Sequence, residues 1–133
     1  MWGIDYGTKR VGVAVSDDGG TVAFPRMVLP NDRMLMTSLR DFVAKEQVGE
    51  IILGESKGRD GADNPVMKDI RFFADELGRE TGVAVRYAPE FYSSVEARRL
   101  AGEAGKANPK LVDAEAAAII LNSYIEHHGR HDR

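Results

Sequence analysis

The chain contains no cysteine among its 133 residues. Disulfides, thiolate metal sites and a cysteine nucleophile are therefore excluded. It also lacks any apolar run near the roughly 20 residues that a membrane-spanning helix needs. No basic stretch followed by a long apolar one opens the chain, so no signal peptide is expected. Met1 and Trp2 stand almost on the first predicted strand and leave little room for a leader. There is no internal repeat and no low-complexity linker. Charge of one sign is scarcely in excess: 18 Lys and Arg against 21 Asp and Glu, a formal net charge of −3. That argues against coating of nucleic acid by bulk positive charge, but not against a local basic rim around an acidic centre. What remains is a globular balance, 43% hydrophobic and 29% charged, at the length of one domain. The expectation is one soluble, cytoplasmic domain over residues 1–133, with about 128–133 a polar tail and no membrane contact.

The order of periodic segments points to an α/β fold. Gly3 to Tyr6 begins a strand, Gly7 to Arg10 makes a turn, and Val11 to Ser16 forms a second strand. Asp17-Asp18-Gly19-Gly20 is a strong turn signal. Thr21 to Leu29 reads as a third strand, which Pro25 restricts to an edge or a bulge. Met36, Leu39, Phe42 and Val43 then recur at helical spacing within Asp32 to Lys45. Ile51-Ile52-Leu53 marks a short buried strand from Glu50 to Gly54. Asn64 and Pro65 suit the cap and first turn of a helix whose apolar stripe is Val66, Ile70, Phe73 and Leu77. Val83 to Ala88 is a fifth strand. Ser93-Ser94-Val95-Glu96 is a capping-box pattern opening another helix, and Lys110 to His127 is the last. Three strands followed by alternating helices and strands imply a mixed five-stranded sheet with helices packed on it.

Three acids stand out against this pattern. Asp5 lies inside an apolar strand just before Tyr6-Gly7, where a carboxylate is costly unless paired or bound to metal. A turn-capping role is the simpler alternative. At about 100° per residue, Asp113 shares a stripe with Ala116, Ala117, Ile120, Leu121 and Tyr124, while Glu115, Asn122 and Glu126 fall opposite. It is thus expected on the sheet-facing side, with stabilisation by the helix N-terminus as the alternative. Glu90 follows the fifth strand, where α/β sheets commonly carry ligand-binding groups; alone it reads equally as a solvated loop residue. Together the three could supply oxygen ligands to Mg²⁺ or Mn²⁺ and support phosphodiester hydrolysis. The sequence does not show that they converge.

Gly3-Ile4-Asp5-Tyr6-Gly7-Thr8-Lys9-Arg10-Val11-Gly12-Val13-Ala14 resembles the opening of the YqgF/RuvX family of Holliday-junction-resolvase-like proteins and pre-16S rRNA nucleases. The resemblance returns at Asp60-Gly61, at Ser93 to Arg98 and at Val112 to Ala117, in order along essentially the whole chain. It implies an RNase H-like fold and a metal-dependent endonuclease with Asp5, Glu90 and Asp113 as catalytic metal ligands. It further implies Mg²⁺ or Mn²⁺ as cofactor, and either 5′-end maturation of ribosomal RNA or cleavage of branched DNA. A homodimer is an expected assembly. Two places depart from the family pattern. Pro89-Glu90-Phe91 keeps the middle acid and loses its usual Asp and Arg flanks, and Gly54-Glu55-Ser56 replaces the usual Gly-Leu-Pro. Glu55 adds a carboxylate that could supplement the metal site.

Lys9, Arg10, Lys57, Arg59, Arg98, Arg99, Lys106 and Lys110 come from loops or helix starts, several beside the acids. Phosphate contacts need such groups; ordinary surface charge is the alternative for each. Lys9, Arg10 and Arg98 are the strongest candidates for binding nucleic acid. His127, His128 and His131 form a C-terminal cluster with Arg130 and Arg133, where a frayed polar tail is favoured over a metal role. Two further functions fit the residues. One is a non-catalytic nucleic-acid-binding module, which the changed flanks of Glu90 favour. The other is an ATPase of the actin or sugar-kinase type, which Asp-x-Gly-Thr suggests and the one-domain length opposes.

Overall fold

A computed structural model describes residues 1–54, 66–88 and 109–129. Its strands are β1 (Trp2–Tyr6), β2 (Arg10–Ser16), β3 (Ala23–Pro30), β4 (Glu50–Gly54) and β5 (Ala84–Ala88). The helices are α1 (Leu35–Lys45), α2 (Val66–Thr81) and α3 (Pro109–Gly129). The strands form one sheet in the order β3-β2-β1-β4-β5. β1, β2 and β3 pair antiparallel, as a meander should, while β4 joins β1, and β5 joins β4, in parallel. The expected mixed five-stranded sheet is therefore observed.

Boundaries differ from expectation by one to three residues, for local reasons. α1 begins at Leu35 and not at Asp32, because Asp32 is spent on a turn. Its carboxylate accepts from the Met34 amide at 2.9 Å and its carbonyl from the Leu35 amide at 3.0 Å. β3 is an edge strand, and its register with β2 shifts between Val13 and Ala14, next to Pro25. Proline cannot donate to a ladder, so both locations suit it. The turn before β3 is closed by Asp17. Its carboxylate accepts from the Thr21 hydroxyl at 2.6 Å and from the Thr21 and Val22 amides at 2.7 and 3.2 Å. These bonds, the hydroxyl foremost, hold the Asp17 carboxyl below the usual aspartate range. α3 starts on Pro109 itself and continues through His128 to Gly129. Proline is accommodated at the first helical position because its missing N–H has no partner there in any case. Asn64, Pro65 and the expected helix at Ser93 lie outside the described residues.

The sheet is covered on both faces. α1 and α2 lie on one, where Leu35, Leu39, Val43, Phe73, Ala74 and Leu77 bury Trp2 and Ile4 of β1 with Val11 and Val13 of β2. α3 lies on the other, with Ala116, Ala117, Ile120, Leu121 and Tyr124 buried against Ala14, Ile52 and Ala88. Small residues set this second interface. A Cβ on Gly3 would come within 2.7 Å of Leu121 Cβ, and one on Gly54 within 2.6 Å of Ile120 Cδ1. Strand residues alternate between faces, so Gly3 and Asp5 of β1 point towards α3. No helix among the described residues is long and apolar enough to cross a membrane.

Asn122 pins the edge strand to α3. Its Oδ1 accepts from the Ala23 amide at 2.8 Å, and its Nδ2 donates to the Ala23 carbonyl at 3.3 Å. Removing a half-buried group that satisfies both backbone atoms costs roughly 1–3 kcal/mol. Asn122→Ala is expected to lose that much in urea unfolding, and to raise hydrogen exchange at the Ala23 amide before that of β1.

Candidate active site

The site starts from one missing side chain. Gly12 of β2 lies directly opposite Asp5 of β1 in the antiparallel ladder. A Cβ on Gly12 would sit 2.0 Å from the backbone oxygen of Asp113 and 2.8 Å from the Ala114 nitrogen. The first turns of α3 therefore rest on the bare backbone of β2 at the residue beside Asp5. Two of the three predicted acids, far apart in sequence, are carried to one face of the sheet on either side of Gly12.

Both acids are half-buried, so neither is fully removed from water. Asp113 is ion-paired: Arg10 Nε donates to its Oδ2 at 2.8 Å. Its side chain is 17% exposed and that of Arg10 51%. Asp5 likewise interacts with the surrounding protein. Neither acid is therefore an unpartnered buried charge, and each meets the pairing that its burial demands. The helix N-terminus is also not what holds Asp113, since the first turn of α3 contains no acid. The dipole's influence fades beyond that turn, and the partner is a guanidinium. The inward stripe holds: Ala116, Ala117, Ile120, Leu121 and Tyr124 are buried, and Glu126 is exposed. Asn122, expected opposite the stripe, is half-buried and bonded to β3.

The turn after Asp5 is held by a residue that the sequence did not single out. The Asn31 amide donates to the Lys9 carbonyl at 2.9 Å, and its Nδ2 to the Gly7 carbonyl at 2.7 Å. A Cβ on Gly7 would lie 2.5 Å from the Arg10 carbonyl oxygen, which shows how tightly the turn closes. Thr8, Lys9 and Arg10 are exposed on it. Lys110 falls in the first turn of α3. Glu90, Glu55, Lys57, Arg59, Arg98, Arg99, Lys106 and His131 lie outside the described residues. His127 is exposed on α3, its Nδ1 3.0 Å from the Ser123 carbonyl.

The donor chemistry fits a hard divalent cation, because Asp5 and Asp113 offer oxygen ligands on one face. Among the described residues, no group of three or more His, Asp or Glu is arranged to hold a metal. Of the three acids singled out in the sequence, Asp5 and Asp113 lie within the described residues. Register indicates which way the sheet runs from there. Ile4 pairs with Leu53, and Gly54 with Ala88. The C-terminal ends of β1, β4 and β5 lie along one edge, and Glu90 follows Ala88 by two residues in sequence.

Comparison with known proteins decides the family. The family model described as RuvX: Holliday junction resolvase matches residues 1–127. The chain belongs to this family. A protein of Nitratidesulfovibrio vulgaris strain Miyazaki F, curated as "Putative pre-16S rRNA nuclease", is 39% identical over 128 residues, covering 92% of this chain and 90% of the relative. A protein of Halothermothrix orenii with the same name is 33% identical, covering 98% and 96%. Among solved structures, Thermus thermophilus RuvC in complex with Holliday junction substrate superposes with a TM-score of 0.60 at 16% identity, covering 97% of each chain. The fowlpox virus resolvase with Holliday junction DNA gives 0.55 at 13%, covering 95% of this chain and 96% of that one. At such identities the likeness concerns the fold, which is RNase H-like. The ATPase reading loses its basis, since the Asp-x-Gly-Thr segment is the opening of a RuvX chain.

Proposed function

We propose that this RuvX protein is a cytoplasmic, metal-dependent endonuclease that cleaves nucleic-acid phosphodiesters, with the 5′-end region of pre-16S rRNA as its substrate and branched DNA as the alternative. The observation that carries this is the placement of Asp5 beside Gly12 and of the Asp113 backbone over Gly12, on one face of the sheet. Asp5, Asp113 and Glu90 would hold Mg²⁺ or Mn²⁺. Such an ion, when bound, supplies an acidified water and neutralises charge developing on the phosphodiester. The protein's own work is positioning. Lys9 and Arg10 stand exposed beside the acids and take up phosphate charge, as does Arg98 in our reading, while Asn31 fixes the turn that presents the first two. The ribosomal substrate is favoured because relatives carrying that name share 30–39% identity with this chain, whereas the resolvase structures share 13–16%.

The second reading is a binding module without hydrolytic activity. Pro89 and Phe91 beside Glu90 favour it, as does the engagement of Asp113 by Arg10. One assay separates the two. Purified protein is incubated with end-labelled precursor-rRNA-like RNA and with a four-way DNA junction, in Mg²⁺, Mn²⁺ or chelator. The nuclease gives metal-dependent cuts, and the preferred substrate shows which phosphodiester it serves. Retention of either nucleic acid without cleavage in any metal would leave the binding module.

A further inference from the structure

Arg10 faces two demands that conflict. Its guanidinium lies in the exposed turn where phosphate would arrive, yet its Nε is bound to Asp113 Oδ2 at 2.8 Å. That oxygen belongs to a carboxylate expected to ligate a divalent ion. A lone pair donated to Nε–H is unavailable to a cation in the same direction, and two cations crowded on one carboxylate repel. The main chain of Asp113 is fixed, so the acid moves only by turning its carboxylate about its own two side-chain bonds. The Asp113 carbonyl is pressed against Gly12, where even one added carbon would lie 2.0 Å away. The arginine, 51% exposed at the end of a strand, is the partner free to swing.

We infer that Arg10 is a positioning residue that exchanges partners. Without metal it neutralises Asp113 and keeps the carboxylate oriented; when a divalent cation takes Asp113, Arg10 is released to a substrate phosphate. This rests on the metal-site reading above. It gives the site an order of events, because ion binding creates the phosphate ligand and phosphate binding keeps Arg10 off the acid. Affinities for ion and nucleic acid are then coupled in both directions.

The test is Mn²⁺ affinity by calorimetry and electron paramagnetic resonance, with no substrate present. Arg10→Gln removes the competitor and is expected to bind Mn²⁺ about threefold to fivefold tighter than wild type, the scale of a half-exposed ion pair. Lys9→Gln removes the same charge from the same turn without touching Asp113. Screening should hold its effect below about twofold at physiological salt. Equal effects of the two variants, or no tightening in Arg10→Gln, would overturn the exchange. Asp113→Asn keeps the two readings apart: if it abolishes Mn²⁺ binding while Arg10→Gln changes nothing, the metal site stands and the exchange falls. If wild type binds no Mn²⁺, both fall. A measurement on wild type alone guards against a misfolded variant. The Arg10 Nε–H resonance should move to the position of an unpaired arginine as Mg²⁺ saturates, and a stationary resonance with bound Mg²⁺ sinks the inference.

Discussion

Gly12→Ala is expected to destabilise the protein by about 3 kcal/mol and to move α3 off the sheet. Overpacking a core usually costs about 1–3 kcal/mol, with the lower values found where a flexible side chain can yield. Here nothing flexible is in the way. The added carbon meets the Asp113 carbonyl oxygen at 2.0 Å, its carbon at 2.2 Å and the Ala114 nitrogen at 2.8 Å, all backbone. The helix must retreat, and retreat loosens the contacts of Ala117 and Leu121 with Gly3. It also shifts Asp113 relative to Asp5, so Mn²⁺ affinity should fall together with stability. Gly49→Ala is the control: a Cβ there meets nothing within 4 Å, its φ is ordinary, and its effect should stay within about 0.5 kcal/mol. Urea unfolding of the two variants decides the matter. A Gly12→Ala protein within 1 kcal/mol of wild type would mean that α3 is not seated on β2 as described.

The same contact shows what the sequence could and could not reveal. The strands and helices were legible because their signals are local: the apolar run Ile51-Ile52-Leu53, the 3.6-residue stripe through Ile70, Phe73 and Leu77, the turn at Asp17 to Gly20. The inward direction of Asp113 was legible too, since it follows from helix geometry alone. Its partner was not. Arg10 is separated from it by 103 positions, and nothing local ties a turn arginine to an acid so far along the chain. Gly12 carried a signal, a glycine inside an otherwise well-formed strand, which means a bulge or a close backbone approach; only the packing of α3 shows which. Asn31 and Asn122 were hidden in the same way. Each satisfies backbone groups of a distant segment, and a polar residue in a turn or on a helix does not declare its distant acceptor. The helix stripe put Asn122 on the polar side, yet burial on α3 extends beyond the stripe to Val112, Ala114 and Ala118. A helix enclosed on that wide an arc has a small polar face, and the asparagine at its margin is drawn into bonding β3.

Asp5→Asn should abolish metal-dependent cleavage, by about a hundredfold or more, while leaving the protein folded. The reasoning starts from size. Asparagine is nearly isosteric with aspartate, so neither the Asp5–Gly12 pairing nor the seat of α3 needs to change, and stability should move by no more than about 1 kcal/mol. What is lost is a charged oxygen donor. Hard divalent ions depend on such ligands, and even partners that merely orient metal ligands are worth about tenfold to a hundredfold. Nucleic-acid affinity in chelator should hold or rise, because one negative charge is gone from a surface that must receive phosphate. Loss of cutting with binding kept marks a residue of the reaction centre. Asp113→Asn should cost a similar amount, and the double variant little more than either alone, since groups that hold one ion fail together. Additive losses would separate the two acids into independent roles. Cleavage that survives Asp5→Asn at wild-type rate in Mg²⁺ would remove Asp5 from the chemistry, and with it the reason for bringing two carboxylates to one face of the sheet.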